Sequence, residues 1–206
     1  MRASSQQKNN QVKQVGAALL VLLLWSCRQQ AADIPYREVT LSFASIRCRV
    51  PAHYQLVTPT RYQKIILQAH PNAYGQQRAA QVDALLARGY LFDLYMDSAN
   101  ADHTLWLVDG PYVRLNNEMV REHVRTLDSN FRSQLPDPAV TVKRLESAFF
   151  NGRAAQMLKV KFQWNLGDVS SYTTEYIVTT YTRSVMVVVN HSTPEDYESL
   201  VRQMRM

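Results

Sequence analysis

The sequence predicts an α+β fold: a largely antiparallel β-sheet with a long helix and a C-terminal helix packed on one face. Three observations carry this expectation. An apolar stripe at helical spacing runs through Leu115, Met119, Val120, His123, Val124, Leu127 and Phe131. Asn151-Gly152 joins two strand-like runs, "AVTVKRLESAFF" and "RAAQMLKVKFQW", and is the strongest short hairpin signal there is. Strand-like segments stand on both sides of the stripe, with no internal repeat and no low-complexity linker.

The elements follow in order. From Val39 the pattern has period two. Val39, Leu41 and Phe43 share one face, and Ile46, Cys48 and Val50 continue on the other parity. That switch places a kink or tight turn near Ala44-Ser45, and Pro51 ends the strand. "RYQKIILQAH" (61–70) reads as the next strand, closed by Pro71. "GQQRAAQVDALLARG" (75–89) reads as a helix, with Ala79, Val82, Leu85 and Leu86 inward and Gly89 at its C-terminal cap. "YLFDLYM" (90–96) and "TLWLV" (104–108) form a strand pair around the polar "DSANADH". Asp109-Gly110-Pro111 is a turn.

Asn116 or Asn117 caps the long helix, and Pro136 lies past its end. After the hairpin, Leu158, Val160, Phe162 and Trp164 face one way. Lys159, Lys161 and Gln163 face the other, so one side of the sheet is expected to be wet. "SYTTEYIVTTY" and "SVMVVVN" add two strands, with a turn near Thr182-Arg183. "TPEDYESLVRQM" closes the chain as a helix, with Thr193 as N-cap, Pro194 at the first position and Asp196 as the capping acid. Tyr197, Leu200, Val201 and Met204 form its buried stripe.

This order is similar to that of the PsbP-like family, whose exported members include DcrB-type lipoproteins. The resemblance rests on the opening strand ending at Pro51 before "AHYQLV", and on the long helix before the Asn151-Gly152 hairpin. It rests also on the polar strands before the capped C-terminal helix, and it covers roughly residues 38–206. The helix at 75–89 is an addition to that pattern. The resemblance implies an envelope or thylakoid accessory protein that binds partners and has no conserved catalytic centre.

The N-terminus predicts an address. Residues 1–14 are basic and carry no acid, and Val15 to Trp25 is an apolar run of 11 residues. As a helix the run is about 16 Å long, against roughly 30 Å for a bilayer core, so it has signal-peptide length. It closes on Leu24-Trp25-Ser26-Cys27, which resembles the bacterial lipobox except at Trp25. The resemblance implies a lipoprotein signal peptide at 1–26, cleavage before Cys27, and a diacylglyceryl thioether on Cys27 itself. Two or three acyl chains anchor stably where one does not. Residues 27–38 then form the lipidated tether and 39–206 a single α+β domain. Arg28 in place of an aspartate favours the outer membrane over the inner.

Charge and composition exclude some functions. The net charge is +6, but three of the 23 basic residues precede Cys27 and none of the 17 acidic ones does. Without residues 1–26 the charge is +3, and no Lys/Arg cluster tracks phosphates, so no nucleic-acid partner is expected. The five histidines (His53, His70, His103, His123, His191) lack metal-ligand spacing, and no cofactor, metal or catalytic residue is assigned. His123, on the helical stripe, reads as a half-buried core residue. G-x-S-x-G is absent. Asp93 and Asp97 share a strand face and read as solvated charges. Tyr36, Trp106, Tyr112, Trp164 and Tyr181 are candidates for an aromatic groove, and Cys48 for a buried, inert thiol.

The expected function is that of a membrane-anchored, non-enzymatic binding or assembly module. Its partners are membrane lipid, through acylated Cys27, and an envelope protein. The alternatives are a lipid-anchored envelope hydrolase, which needs a concave site with converging Asp, His or Ser, and a carrier of a small apolar ligand, which needs an apolar cavity between the sheet and the long helix.

Overall fold

The computed structural model describes residues 35–133, 140–152, 155–166, 169–180 and 182–204. Strands β1 (Tyr36–Thr40) and β2 (Arg47–Pro51) form a separate antiparallel hairpin, with Val39 opposite Cys48. The parity switch of the sequence is this reversal, closed by Leu41 N–H donating to the Ile46 carbonyl at 3.0 Å. β1 takes in residues 36–38, which the sequence reading placed in the tether.

The main sheet has seven strands in the order β3-β4-β5-β9-β8-β7-β6, every neighbour antiparallel. They are β3 (Tyr54–Val57), β4 (Phe92–Asp97), β5 (Thr104–Gly110), β6 (Val140–Asn151), β7 (Gln156–Leu166), β8 (Val169–Thr179) and β9 (Ser184–His191). The hairpin is where the sequence predicts it, but Asn151-Gly152 is not a two-residue turn: Asn151 belongs to β6 and lies opposite Gln156, the first residue of β7, and Gly152 N–H donates to the Ala155 carbonyl at 3.0 Å.

Residues 61–70 are not a strand: helix α1 spans Pro59–Ala69. Thr58 caps it through Oγ1, Pro59 fits its first turn, and Tyr62 and Ile66, four apart, are fully buried. The Ile65-Ile66-Leu67 run looks like a strand locally, but its buried members follow the helical period. Helix α2 (Ala73–Ala87) packs on it through Gln63, whose Nε2 donates to Asp83 Oδ1 at 2.8 Å and to the Ala79 carbonyl at 3.2 Å. Gly89 takes φ +71° just past α2, the left-handed cap the sequence predicts.

Helix α3 (Asn117–Ser133) is capped by Asn116, whose Oδ1 accepts from the amides of Glu118 and Met119, each at 2.9 Å. Val124 is buried, Val120 and Leu127 pack beside it, and Met119 turns outward. Pro136 and the Phe131 side chain lie outside the described residues. The last helix, α4 (Glu198–Arg202), buries Leu200 and Val201.

Alternate residues of the sheet feed two cores. Tyr95, Leu105, Leu107, Val185, Val187, Val189, Tyr176 and Met157 pack against the β1–β2 hairpin and against Tyr197, Leu200 and Val201. On the other face, Leu94, Met96, Trp106 and Val108 lie with Tyr62, Ile66, Ala79 and Val82 of α1 and α2. Leu158, Val160 and Phe162 on that face pack with Leu115 and Val124 at α3. The α+β class is as the sequence predicts. The long and C-terminal helices, however, pack on opposite faces, because α3 meets Leu158 and α4 meets the core that includes Met157.

The lysine face of β7 is not wet. Lys159 and Lys161 are only 2% and 7% exposed. The Lys159 ammonium is held by Asp196, by Glu146 at 2.9 Å and by Glu198 at 3.5 Å. Lys161 Nζ donates to the carbonyls of Pro194 (2.7 Å) and Glu195 (3.2 Å). Burial acts to lower the Lys159 pKa, but Asp196 and Glu146 more than restore it. Lys161, with backbone carbonyls as acceptors, stays below its ordinary range through burial.

These two lysines draw residues 194–197 over the sheet, so α4 begins at Glu198 rather than at Pro194. Thr193, the expected N-cap, places its Oγ1 2.7 Å from His191 Nδ1 instead. Asp196 accepts from the Glu198 amide and from Tyr176 Oη, both at 2.9 Å.

Candidate functional site

A cleft of about 160 Å³ opens where the start of α2 meets the outer ends of β6, β7 and β8. His70, Asn72, Tyr74, Gln77, Arg78 and Gln81 supply one wall, with Asp102 at the edge. Trp164, Ser170, Ser171, Thr173 and Ser192 supply the other. Asn72 caps α2 with Oδ1, which accepts from the amides of Tyr74 (3.1 Å) and Gly75 (3.3 Å). Gly75 lets the α1–α2 turn close, since a Cβ there would lie 2.0 Å from the His70 carbonyl oxygen.

Arg78 is the unusual wall residue, an arginine only 6% exposed. Its guanidinium lies over the Trp106 ring, 5.7 Å from the centroid. One terminal nitrogen donates to Gln81 Oε1 and the other to Thr104 Oγ1, each at 3.1 Å. Thr104 Oγ1 also accepts from Trp106 Nε1 (2.9 Å) and Asn190 Nδ2 (3.1 Å), and Asn190 Oδ1 accepts from Thr173 (2.8 Å). Arg78 Nε and Tyr62 Oη are both buried and make no short, well-aligned hydrogen bond among the described residues, although a contact between the two side chains favours the Arg78 charge.

No carboxylate among the described residues comes within ion-pair distance of Arg78. Asp102 is turned to His70, Oδ1 to Nε2 at 2.8 Å, and to Tyr74 Oη at 3.3 Å. Burial opposes the Arg78 charge, but Tyr62, Tyr74 and Asp102 outweigh it, so its pKa lies above the ordinary value. Burial, against the lowering effect of Arg78, also pushes the Tyr74 hydroxyl above its ordinary range.

At the cleft edge, Ser192 Oγ lies 2.7 Å from His103 Nε2. His103 Nδ1 lies 3.3 Å from the Asp97 carboxylate, which also accepts from the Ala99 amide at 2.9 Å. Serine, imidazole and buried carboxylate thus stand in the order that a nucleophile, its base and an orienting group require. Two features work against that use. Asn100 Nδ2 is 3.0 Å from the same His103 Nε2. The His103 ring is also stacked on His191, with centroids 3.6 Å apart. His191 lies below its ordinary pKa, through burial first and His103 second.

Asp93 and Asp97 are not solvated, being 4% and 8% exposed. Nor do they act together: Asp93 accepts from the Ser42 amide at 2.7 Å and from its hydroxyl, while Asp97 serves His103. Their strand buries both because the β1–β2 turn and the β4–β5 loop cover its two ends. His123 is half-buried as expected, and its Nε2 lies 3.2 Å from Glu175 Oε1. Cys48 is 2% exposed, its thiol pushed up to about 12 by burial and then by Asp93.

Of the five candidate groove aromatics, Trp164 lines the cleft and Trp106 is buried against Arg78. Tyr36 and Tyr112 are exposed, and Tyr181 and Cys27 lie outside the described residues. Sequence reasoning missed Arg78. Its signal was there: Arg78 sits four residues before Val82, on the buried stripe of α2.

No family model matches this chain, and no curated protein matches it. Its structure is similar to the solution structure of cyanobacterial PsbP (CyanoP) from Synechocystis sp. PCC 6803. The two share 7% identity at a TM-score of 0.50, over 86% of this chain and 95% of that one. The fold is PsbP-like. At that identity the likeness concerns architecture alone. The likeness carries no assignment for the Arg78 cleft or for the Ser192–His103–Asp97 chain.

Proposed function

We propose that the chain is a membrane-anchored envelope lipoprotein, of DcrB-type organisation, whose PsbP-like domain is a non-enzymatic binding or assembly module. The observation that carries this reading is Leu24-Trp25-Ser26-Cys27 behind a basic segment and an 11-residue apolar run. Cys27 takes the lipid and the domain meets an envelope protein, at the outer rather than the inner membrane. Among the described residues no helix is long and apolar enough to cross a membrane. In this reading the acyl chains supply the attachment.

The test is Cys27→Ser in cells fed a labelled fatty acid. Wild type takes up label and fractionates with membrane. The variant takes up none and migrates as precursor. Equal labelling would end the lipoprotein reading. Crosslinking of the anchored chain with mass spectrometry then identifies the partner, and a chain that crosslinks to nothing would end the binding-module reading.

A second reading, a lipid-anchored hydrolase, is favoured by the 2.7 Å contact between Ser192 Oγ and His103 Nε2 beside the cleft. Covalent labelling of Ser192 by a fluorophosphonate, abolished in Ser192→Ala, would support it over the first.

A further inference from the structure

We infer that the Arg78 cleft is a binding site for a small polyhydroxylated carboxylate, of the size of a hexuronic acid. This goes beyond the binding-module reading, whose partner is an envelope protein. A buried cation costs several kcal/mol unless it is paired, and a guanidinium pairs best with the two oxygens of a carboxylate. Arg78 is 6% exposed, lines the cleft, and has no carboxylate within ion-pair distance among the described residues. Its two terminal nitrogens make one hydrogen bond each, so donors remain on the fork.

The rest of the lining indicates the kind of carboxylate. The hydroxyls of Ser171 and Ser192 and the carboxamide of Gln77 suit a ligand rich in hydroxyl groups. Trp164 offers an aromatic wall to the flat face of a sugar ring. Asp102, already engaged by His70 and Tyr74, leaves a negative charge at the edge that favours a monoanion over phosphate. A cavity of about 160 Å³ has room for on the order of ten waters, which matches one hexuronate.

The experiment is calorimetric titration of the full-length chain in detergent with glucuronate, with glucose and inorganic phosphate as controls. Saturable binding of glucuronate, absent for glucose and weaker for phosphate, is expected. Arg78→Gln should weaken it by about tenfold or more. Because Arg78 is buried, that variant can fail to fold. Gln77→Trp on the flank of α2 leaves Arg78 in place, fills the cleft and should abolish binding.

No heat with glucuronate, equal binding of glucose, or equal binding of phosphate would each overturn the inference. So would unchanged affinity in Gln77→Trp. Failure here leaves crosslinks of the anchored chain intact, whereas failure of the binding-module reading removes the crosslinks and leaves glucuronate binding as it is.

Discussion

Lys159, buried in β7, holds the carboxylate of Asp196 just ahead of α4, and so ties the C-terminal segment to the sheet. The two partners are unequally placed: the Lys159 side chain is 2% exposed and that of Asp196 43%. Asp196→Ala leaves the buried Tyr176 hydroxyl and the Glu198 amide without their acceptor, and Lys159 with Glu146 and Glu198 alone, whereas Lys159→Met leaves carboxylates that can hydrate. Asp196→Ala should therefore cost about 1–2 kcal/mol, and Lys159→Met less than about 1. Urea unfolding of the two variants checks the order, and the reverse order would show that the pair does not hold the segment.

The stacked imidazoles predict a loss of stability in mild acid. Folded His191 takes a proton less readily than the ordinary value of 6.5, through burial and then His103, despite Glu195 and Asp97 nearby. The unfolded chain protonates first as pH falls. Stability should be full above about pH 6.5 and decline below it, by at most about 1.4 kcal/mol per pH unit for this one group. Asp196, held below 3.8 by Lys159 against the effect of burial, adds a loss of the same sign at lower pH. His191→Gln should flatten the first decline in urea titrations across pH and leave the second.

Ser192 should be a poor nucleophile. Asn100 shares His103 Nε2, and His191 covers the ring. The full-length chain is expected not to hydrolyse p-nitrophenyl acetate above background, and Ser192→Ala to change nothing. Turnover that disappears in Ser192→Ala would move the assignment to the hydrolase.

The two cysteines should separate by chemistry. Cys48, its pKa about 12, should resist Ellman's reagent until the protein unfolds. A lipidated Cys27 has no free thiol at all. Mature protein should therefore titrate no thiol when native and one when denatured, and a thiol found in the native mature chain would count against thioether formation.

Gly75→Ala should destabilise by more than about 2 kcal/mol, because its Cβ would press on the His70 carbonyl from 2.0 Å, where backbone cannot yield. Thermal unfolding reads this directly. Since the same turn carries His70 and Asn72, glucuronate affinity should fall with it.

Much of this architecture is legible locally. Asn151-Gly152 marks the β6–β7 reversal, Asn116 the start of α3, Gly89 the end of α2 and Cys48 the inward parity of β2, each through a short-range preference. The misreadings share one cause. Ile65-Ile66-Leu67 looks like a strand, Lys159 and Lys161 look solvated, and Thr193 looks like an N-cap, until a distant segment is brought against each.

Period, caps and turn residues thus determined the class of the fold and most of its elements, since these act over a few residues. Residues 1–27 by themselves carry the expected address. The tertiary structure alone decided that α3 and α4 take opposite faces and that two lysines bind the chain's end. It also put Arg78, Thr104 and Asn190 in one buried network, although the last two are 86 residues apart. Whether a charge is buried depends on what covers it, and its cover here comes from chain far away in sequence.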